Sequence, residues 1–145
     1  MEKRKATLED IPFLAEIENK YFHSPWTKEQ FEQEMKENEF SHIFVLIDKN
    51  TIIGYIDYWI IFDQATINKI CIKDEYRRQG LAQQLLDICF KEVKENECMV
   101  ITLEVRTSNE KAIKLYQKNG FDIVLTKPQY YSDGEDAYYM VKGVI

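Results

Sequence analysis

A mixed α/β fold, with helices flanking a largely antiparallel sheet, is predicted by three features of the sequence. Between residues 42 and 72, three β-rich runs follow one another with only short polar turns between them, as in an antiparallel meander. Two later segments, after Gly80 and over 109–118, carry apolar residues at the period of amphipathic helices. Strands and helices then alternate towards residue 145, which suits helices layered on a sheet.

In order, residues 2–6 read as a short first strand. Thr7-Leu-Glu-Asp10 resembles a capping box, with Asp in the acidic place. Pro12 then falls in the first helical turn, where its missing N–H costs nothing. Leu14, Ile17, Glu18 and Tyr21 continue one helix face, and His23-Ser-Pro25 breaks it. Thr27-Lys-Glu-Gln30 is a second capping box, and Phe31 and Met35 mark a short second helix. The meander follows: His42–Ile47, the turn Asp48-Lys-Asn50, Ile52–Phe62, the turn Asp63-Gln64, and Ala65–Ile72. The third helix shows Ala82, Leu85, Leu86, Cys89 and Val93 on one face and stops at Asn96-Glu97. Met99–Val105 reads as a buried strand. Asn109–Lys118 is a helix with Ala112, Ile113 and Tyr116 on one side, closed by Asn119-Gly120. Phe121–Leu125 and Ala137–Val141 are the last strands, with Pro128–Asp136 between them.

Composition narrows the function. A chain of 145 residues suits one domain, 1–145, with one sizeable core. Its net charge of −6 argues against a general nucleic-acid or anionic-membrane binder. The longest nearly apolar run, Ile52–Phe62, is too short and too polar to span a bilayer, and the start lacks a signal peptide's apolar stretch. Three cysteines without C-x-x-C spacing build no disulfide framework, so a cytoplasmic setting is expected. His23 and His42 match no metal-ligand spacing, and no metal is expected.

The stretch Arg77-Arg78-Gln79-Gly80-Leu81-Ala82 opens the third helix directly after a strand and a charged connector. Free N–H groups and the positive end of the helix dipole suit a phosphate there. Gly80 lets backbone approach a ligand closely, and the arginines offer charge-assisted hydrogen bonds. The plainer alternative is a loop glycine before a surface helix, with two solvated arginines. In the strand Met99–Val105, Glu104 is a candidate base, directly or through a water, and burial there would raise its pKa. The alternative is a surface carboxylate paired with Arg106. Asn109 and Tyr116 lie two helical turns apart and can face one ligand. A tyrosine can return a proton to a thiolate leaving group, but the more usual fate of a helical tyrosine is a core position with a satisfied hydroxyl.

Arg77-Arg-Gln-Gly80-Leu-Ala82 fits the pyrophosphate signature R/Q-x-x-G-x-G/A of the GCN5-related N-acetyltransferase (GNAT) superfamily. Leu103-Glu-Val-Arg-Thr-Ser-Asn109, Ala112-Ile-Lys-Leu-Tyr116 and Gly120-Phe121 closely resemble the bacterial ribosomal-protein-alanine N-acetyltransferases of the RimI type. Pro25-Trp26, Tyr130-Tyr131, Asp133-Gly134, Glu135-Asp136-Ala137 and Met140 extend that resemblance over most of the chain. It implies the GNAT acyl-CoA N-acyltransferase fold and acetyl transfer from acetyl-CoA to a protein N-terminus. The family's base falls on Glu104 and its general acid on Tyr116. Backbone of Ile70, Cys71 and Ile72 would pair with the pantetheine arm, residues Arg78, Gln79, Gly80, Leu81, Ala82 and Gln83 would hold the pyrophosphate, and Asn109 would touch the cofactor. The implied acceptor is the N-terminal peptide of a basic ribosomal protein, attacking directly in a ternary complex. Cys71 beside the site invites an acetyl-cysteine route, but no histidine lies near it in sequence to serve as base. Lys127-Pro-Gln-Tyr130 departs from the arginine-rich connector expected of the family, which touches acceptor choice. The rival readings are the same chemistry on another N-terminus, a lysine or a small-molecule amine, and a non-catalytic CoA-binding domain.

Overall fold

The computed structural model describes residues 1–144. A single seven-stranded sheet runs in the order β1-β2-β3-β4-β5-β7-β6. Its strands are β1 (Glu2–Lys5), β2 (Ser41–Asp48), β3 (Thr51–Ile61), β4 (Gln64–Ile72), β5 (Val100–Arg106), β6 (Asp122–Lys127) and β7 (Ala137–Gly143). Four helices flank it: α1 (Ile11–Tyr21), α2 (Lys28–Glu37), α3 (Leu81–Glu95) and α4 (Glu110–Lys118). All neighbouring strands are antiparallel except β4 and β5, which are parallel and joined through α3. The mixed, largely antiparallel fold and its element order are as expected from the sequence.

Local chemistry accounts for most boundaries. The Thr27–Gln30 box forms in full: Thr27 Oγ1 accepts from Gln30 N, and Gln30 Oε1 accepts from Thr27 N at 2.8 Å. Asp10 does similar work one short 3-10 turn before α1, accepting from Thr7 N at 2.7 Å while Arg4 grips both its oxygens. Lys49 and Asn50 both take positive φ, the geometry that suits a tight β2–β3 hairpin. Helix α4 ends at Asn119 with Gly120 at φ +93°. There Phe121 N donates to Tyr116 O and Gly120 N to Gln117 O, a Schellman closure.

Cores lie on both faces of the sheet. On one, Leu81, Leu85, Leu86, Cys89 and Val93 of α3 and Tyr116 of α4 pack on Ile56, Ile67, Ile72, Ile101, Leu103 and Val105. The buried edge of α3 begins at Leu81 rather than at the Ala82 of the sequence reading, and Ala82 packs only at its margin. On the other face, α1 and α2 bring Leu14, Ile17 and Phe31 against Val45, Tyr55 and Cys71. No helix among the described residues is long and apolar enough to cross a membrane.

Candidate active site

The parallel pair β4 and β5 does not stay paired. Its register runs from Gln64↔Val100 to Ile67↔Leu103 and stops there. Beyond that point β4 is bonded only to β3, through Lys69, Ile70, Cys71 and Ile72, and β5 only to β7. Two backbone edges therefore face a gap without a strand between them. An extended chain carrying amide groups can enter such a gap as an added strand does. Ile70, Cys71 and Ile72 lie on one side of it and Glu104 on the other.

A bulge helps to part the strands. Asp57 pairs with Lys69 but Tyr58 pairs with Ile67, so Asn68 is the extra residue. Before the bulge Ala65 and Ile67 face the α3 core, and after it Ile70 and Ile72 do. Cys71 is thereby turned into the α1 core. Burial pushes its thiol up to about 11, so Cys71 is protonated at neutral pH and does not suit an acetyl-cysteine route.

The loop from β4 into α3 is shaped for close approach. Arg78 and Gly80 both have positive φ, +65° and +74°. A Cβ placed on Gly80 would meet no atom within 4 Å, so the backbone there borders open space. The first N–H groups of α3 lack intrahelical partners and point from this loop. Backbone, not side chain, is what Leu81 and Gln83 can offer. The Leu81 side chain is buried in the core, and Gln83 exchanges hydrogen bonds of 2.8 Å with Asn119. Arg77 is likewise committed: its Nε donates to Ile72 O at 3.0 Å, it pairs with Asp74, and it lies over Tyr21. Of the two arginines, Arg78 is the one left for an anion.

Glu104 is partly exposed and does not pair with Arg106. Lys127, two strands away at the end of β6, crosses β7 and donates to Glu104 Oε1 at 2.7 Å. The carboxylate holds the Lys127 ammonium above the ordinary lysine range, and the ammonium also lies over Tyr139 and Tyr130. Arg106 instead binds Asp133 and Glu135 and stacks on Tyr131, which orders the β6–β7 loop. The deep burial expected of Glu104 is therefore replaced by a lysine contact at the surface of the site. Tyr116 is buried, its ring edge-on to Phe121 at 5.8 Å, and burial raises its pKa. The Schellman closure of α4 sets that ring pair. Asn109 caps α4, its Oδ1 accepting from Ala112 N at 3.3 Å, so only its amide NH2 remains for a ligand.

On the α1 face lies a buried group that sequence reasoning took for part of an amphipathic helix. Glu18 is fully buried and accepts from Lys69 Nζ at 2.6 Å, from Trp26 N at 2.8 Å and from the Tyr55 hydroxyl. Lys69 also lies 4.3 Å from the Trp26 ring centroid. The signal was present: Glu18 and Lys69 each interrupt an apolar pattern with opposite charge. Together they hold the loop between α1 and α2. That loop meets the β6–β7 loop through Ser24 and Ser132, whose hydroxyls are 2.9 Å apart.

Strands β4 and β5 thus part beside a helix start with free N–H groups and a carboxylate, an arrangement that can admit an extended, anionic ligand. The chain matches the Acetyltransferase (GNAT) family over residues 11–121 and belongs to that family. Acetyltransferases of this family use acetyl-CoA. More particularly, it is 41% identical, over 94% of its length and 91% of the relative's, to a Bacillus subtilis protein described, provisionally, as a [ribosomal protein bS18]-alanine N-acetyltransferase. The Escherichia coli enzyme of that name is 31% identical over 90% of this chain and 89% of its own. The crystal structure of the ribosomal-protein-S18-alanine N-acetyltransferase from Escherichia coli superposes with a TM-score of 0.89 at 29% identity, covering 99% of this chain and 93% of that one.

Proposed function

We propose that this chain acetylates the N-terminal α-amino group of an alanine-initiated ribosomal protein, as its bacterial relatives are named for doing with bS18. The observation that carries the reading is the parting of β4 from β5 after Ile67 and Leu103, with Glu104 on the far lip. Acetyl-CoA supplies the activated acetyl group. Backbone of Ile70, Cys71 and Ile72 receives the pantetheine arm in the gap, while N–H groups of residues 78–83, with the Arg78 guanidinium, hold the pyrophosphate. The Asn109 amide adds a contact to the same molecule.

Glu104 takes the proton that the attacking amine sheds, directly or through a water. Lys127 keeps that carboxylate aimed across β7. Tyr116 gives a proton to the departing thiolate, and its burial keeps the phenol protonated until then. Attack is direct, with amine and thioester bound together. Tyr130 and Tyr131 wall the acceptor side.

Tandem mass spectrometry of an alanine-initiated basic peptide after incubation with acetyl-CoA tests this. The acetyl group is expected on the terminal nitrogen. Acetyl groups on lysine side chains with a free N-terminus would instead make the chain a lysine acetyltransferase.

A further inference from the structure

Asp57 is fully buried on β3, and neither carboxyl oxygen makes a well-formed hydrogen bond. The Asn68 amide nitrogen is buried without a partner as well. Such orphaned groups each cost about 1–3 kcal/mol. One of these is an acceptor and the other can donate, and both sit at the same bulge. The last β4–β5 pair, Ile67↔Leu103, lies directly before that bulge.

The bulge matters beyond its bend. Backbone N–H and C=O groups alternate along a strand, so one inserted residue reverses which of them face the gap. Without Asn68 as the extra residue, Ile70 and Ile72 would turn towards α1, and the free backbone groups of residues 70–72 would be exchanged between β3 and the gap. Something must hold the bulge at Asn68 rather than one residue away. The groups facing Asp57 are the Glu34 carboxylate from α2 and Asn68 and Lys69 from β4, with the Tyr55 hydroxyl on its own strand. The α1 carboxylate Glu18 is engaged by Lys69 and Tyr55, and β2 brings only Ile43 opposite.

We propose that Asp57 and Asn68 are positioning residues, a buried acid–amide pair that fixes the bulge and so sets which backbone groups β4 presents to the thioester donor. The proposal rests on the functional reading of the gap above. In its protonated form Asp57 can accept from the Asn68 amide and donate to the Glu34 carboxylate, the neighbours that match its acceptor and its donor. Burial and the neighbouring Glu34 carboxylate support this by lifting its pKa to about 9. Above that pH it ionises against Glu34, and the pair is driven apart.

Calorimetric titration of acetyl-CoA into wild type, Asp57→Asn and Asp57→Val, near pH 7 and near pH 10, tests the pair. Asparagine keeps a neutral planar group able to accept and to donate, and is expected to bind like wild type at the lower pH. Valine removes the pair and is expected to weaken binding roughly tenfold, the equivalent of one lost hydrogen bond. The rise in KM falls on acetyl-CoA and spares the peptide, whereas general loosening would raise both. At the higher pH only about a tenth of wild type keeps Asp57 protonated, so its affinity falls roughly tenfold. Asp57→Asn shares every other titrating group, Lys69 included, and is expected to fall less. Should the valine variant not fold, the pH arm decides alone. Wild type and Asp57→Asn with the same pH dependence, or a folded valine variant with wild-type affinity, would overturn the role of the pair. A wild type that binds no acetyl-CoA at either pH would overturn the functional reading itself.

Discussion

Replacing Lys69 with methionine removes the cation from Glu18 and leaves the apolar stem in place. The Glu18 side chain is 0% exposed and that of Lys69 14%, so the pair is desolvated on one side and nearly so on the other. Stranding a buried charge costs about 3–5 kcal/mol. Two neutral donors, Trp26 N and the Tyr55 hydroxyl, remain on the carboxylate and soften the loss. We therefore expect about 3 kcal/mol. For a chain of this size each kcal/mol shifts the melting temperature by about 3–4 °C, which gives a drop of about 10 °C. Thermal unfolding followed by circular dichroism at neutral pH reads this directly. Glu18→Gln strands the lysine instead, but Lys69 can turn towards solvent, so a smaller drop is expected. The double variant Glu18→Gln, Lys69→Met is expected to melt well above the sum of the two losses, because neither charge is then left alone. A Lys69→Met protein that melts within about 2 °C of wild type, or strictly additive losses, would refute the buried pair as the anchor of the α1–α2 loop.

Three further outcomes bear on the chemistry. Gly80→Glu puts a charged L-residue at φ +74°, a conformation costing about 1–2 kcal/mol, and brings a carboxylate to the phosphate side. Acetyl-CoA affinity measured by calorimetry is expected to fall by at least about tenfold, and unchanged affinity would remove this loop from the site. Tyr116→Phe keeps the ring against Phe121 and is expected to lower turnover by roughly 10²–10⁴-fold, with acetyl-CoA affinity nearly intact. Wild-type turnover under conditions where chemistry limits the rate would reject the proton donor. Glu104→Gln is expected to lose most activity at low pH, where the amine is mainly protonated, and a loss uniform across pH would mean that Glu104 positions rather than accepts a proton.

The meander and the helices were legible because their periods and turn residues are local. Asp48-Lys-Asn50 carries its own positive-φ hairpin, and Gly120 its own helix stop. The parting of β4 and β5 was not legible from periodicity, because it depends on a register between strands far apart in the chain. Arg106 seemed the natural partner of Glu104 by proximity, yet the sheet brought Lys127 from beyond β7. Asp57 was hidden inside the longest apolar run, where a single carboxyl gives no pattern. Gly80, Glu104, Asn109 and Tyr116 stood out by position and chemistry, and the family resemblance gave them their roles. The structure puts Glu104 and the 70–72 segment on opposite sides of one gap, and the Gly80 loop directly follows β4.

The central claim is that the gap serves an N-terminal amine. An α-amino group has a pKa of about 7.7–8.0 against about 10.4 for lysine, so near pH 7 far more N-termini than lysines are neutral and ready to attack. Thiol release from acetyl-CoA, measured with an alanine-initiated basic peptide and with the same peptide blocked at its N-terminus but keeping its lysines, separates the two. Rapid release with the free N-terminus and little with the blocked peptide is the expected result. Equal rates on both peptides, or release with neither and rapid turnover of a polyamine, would contradict it.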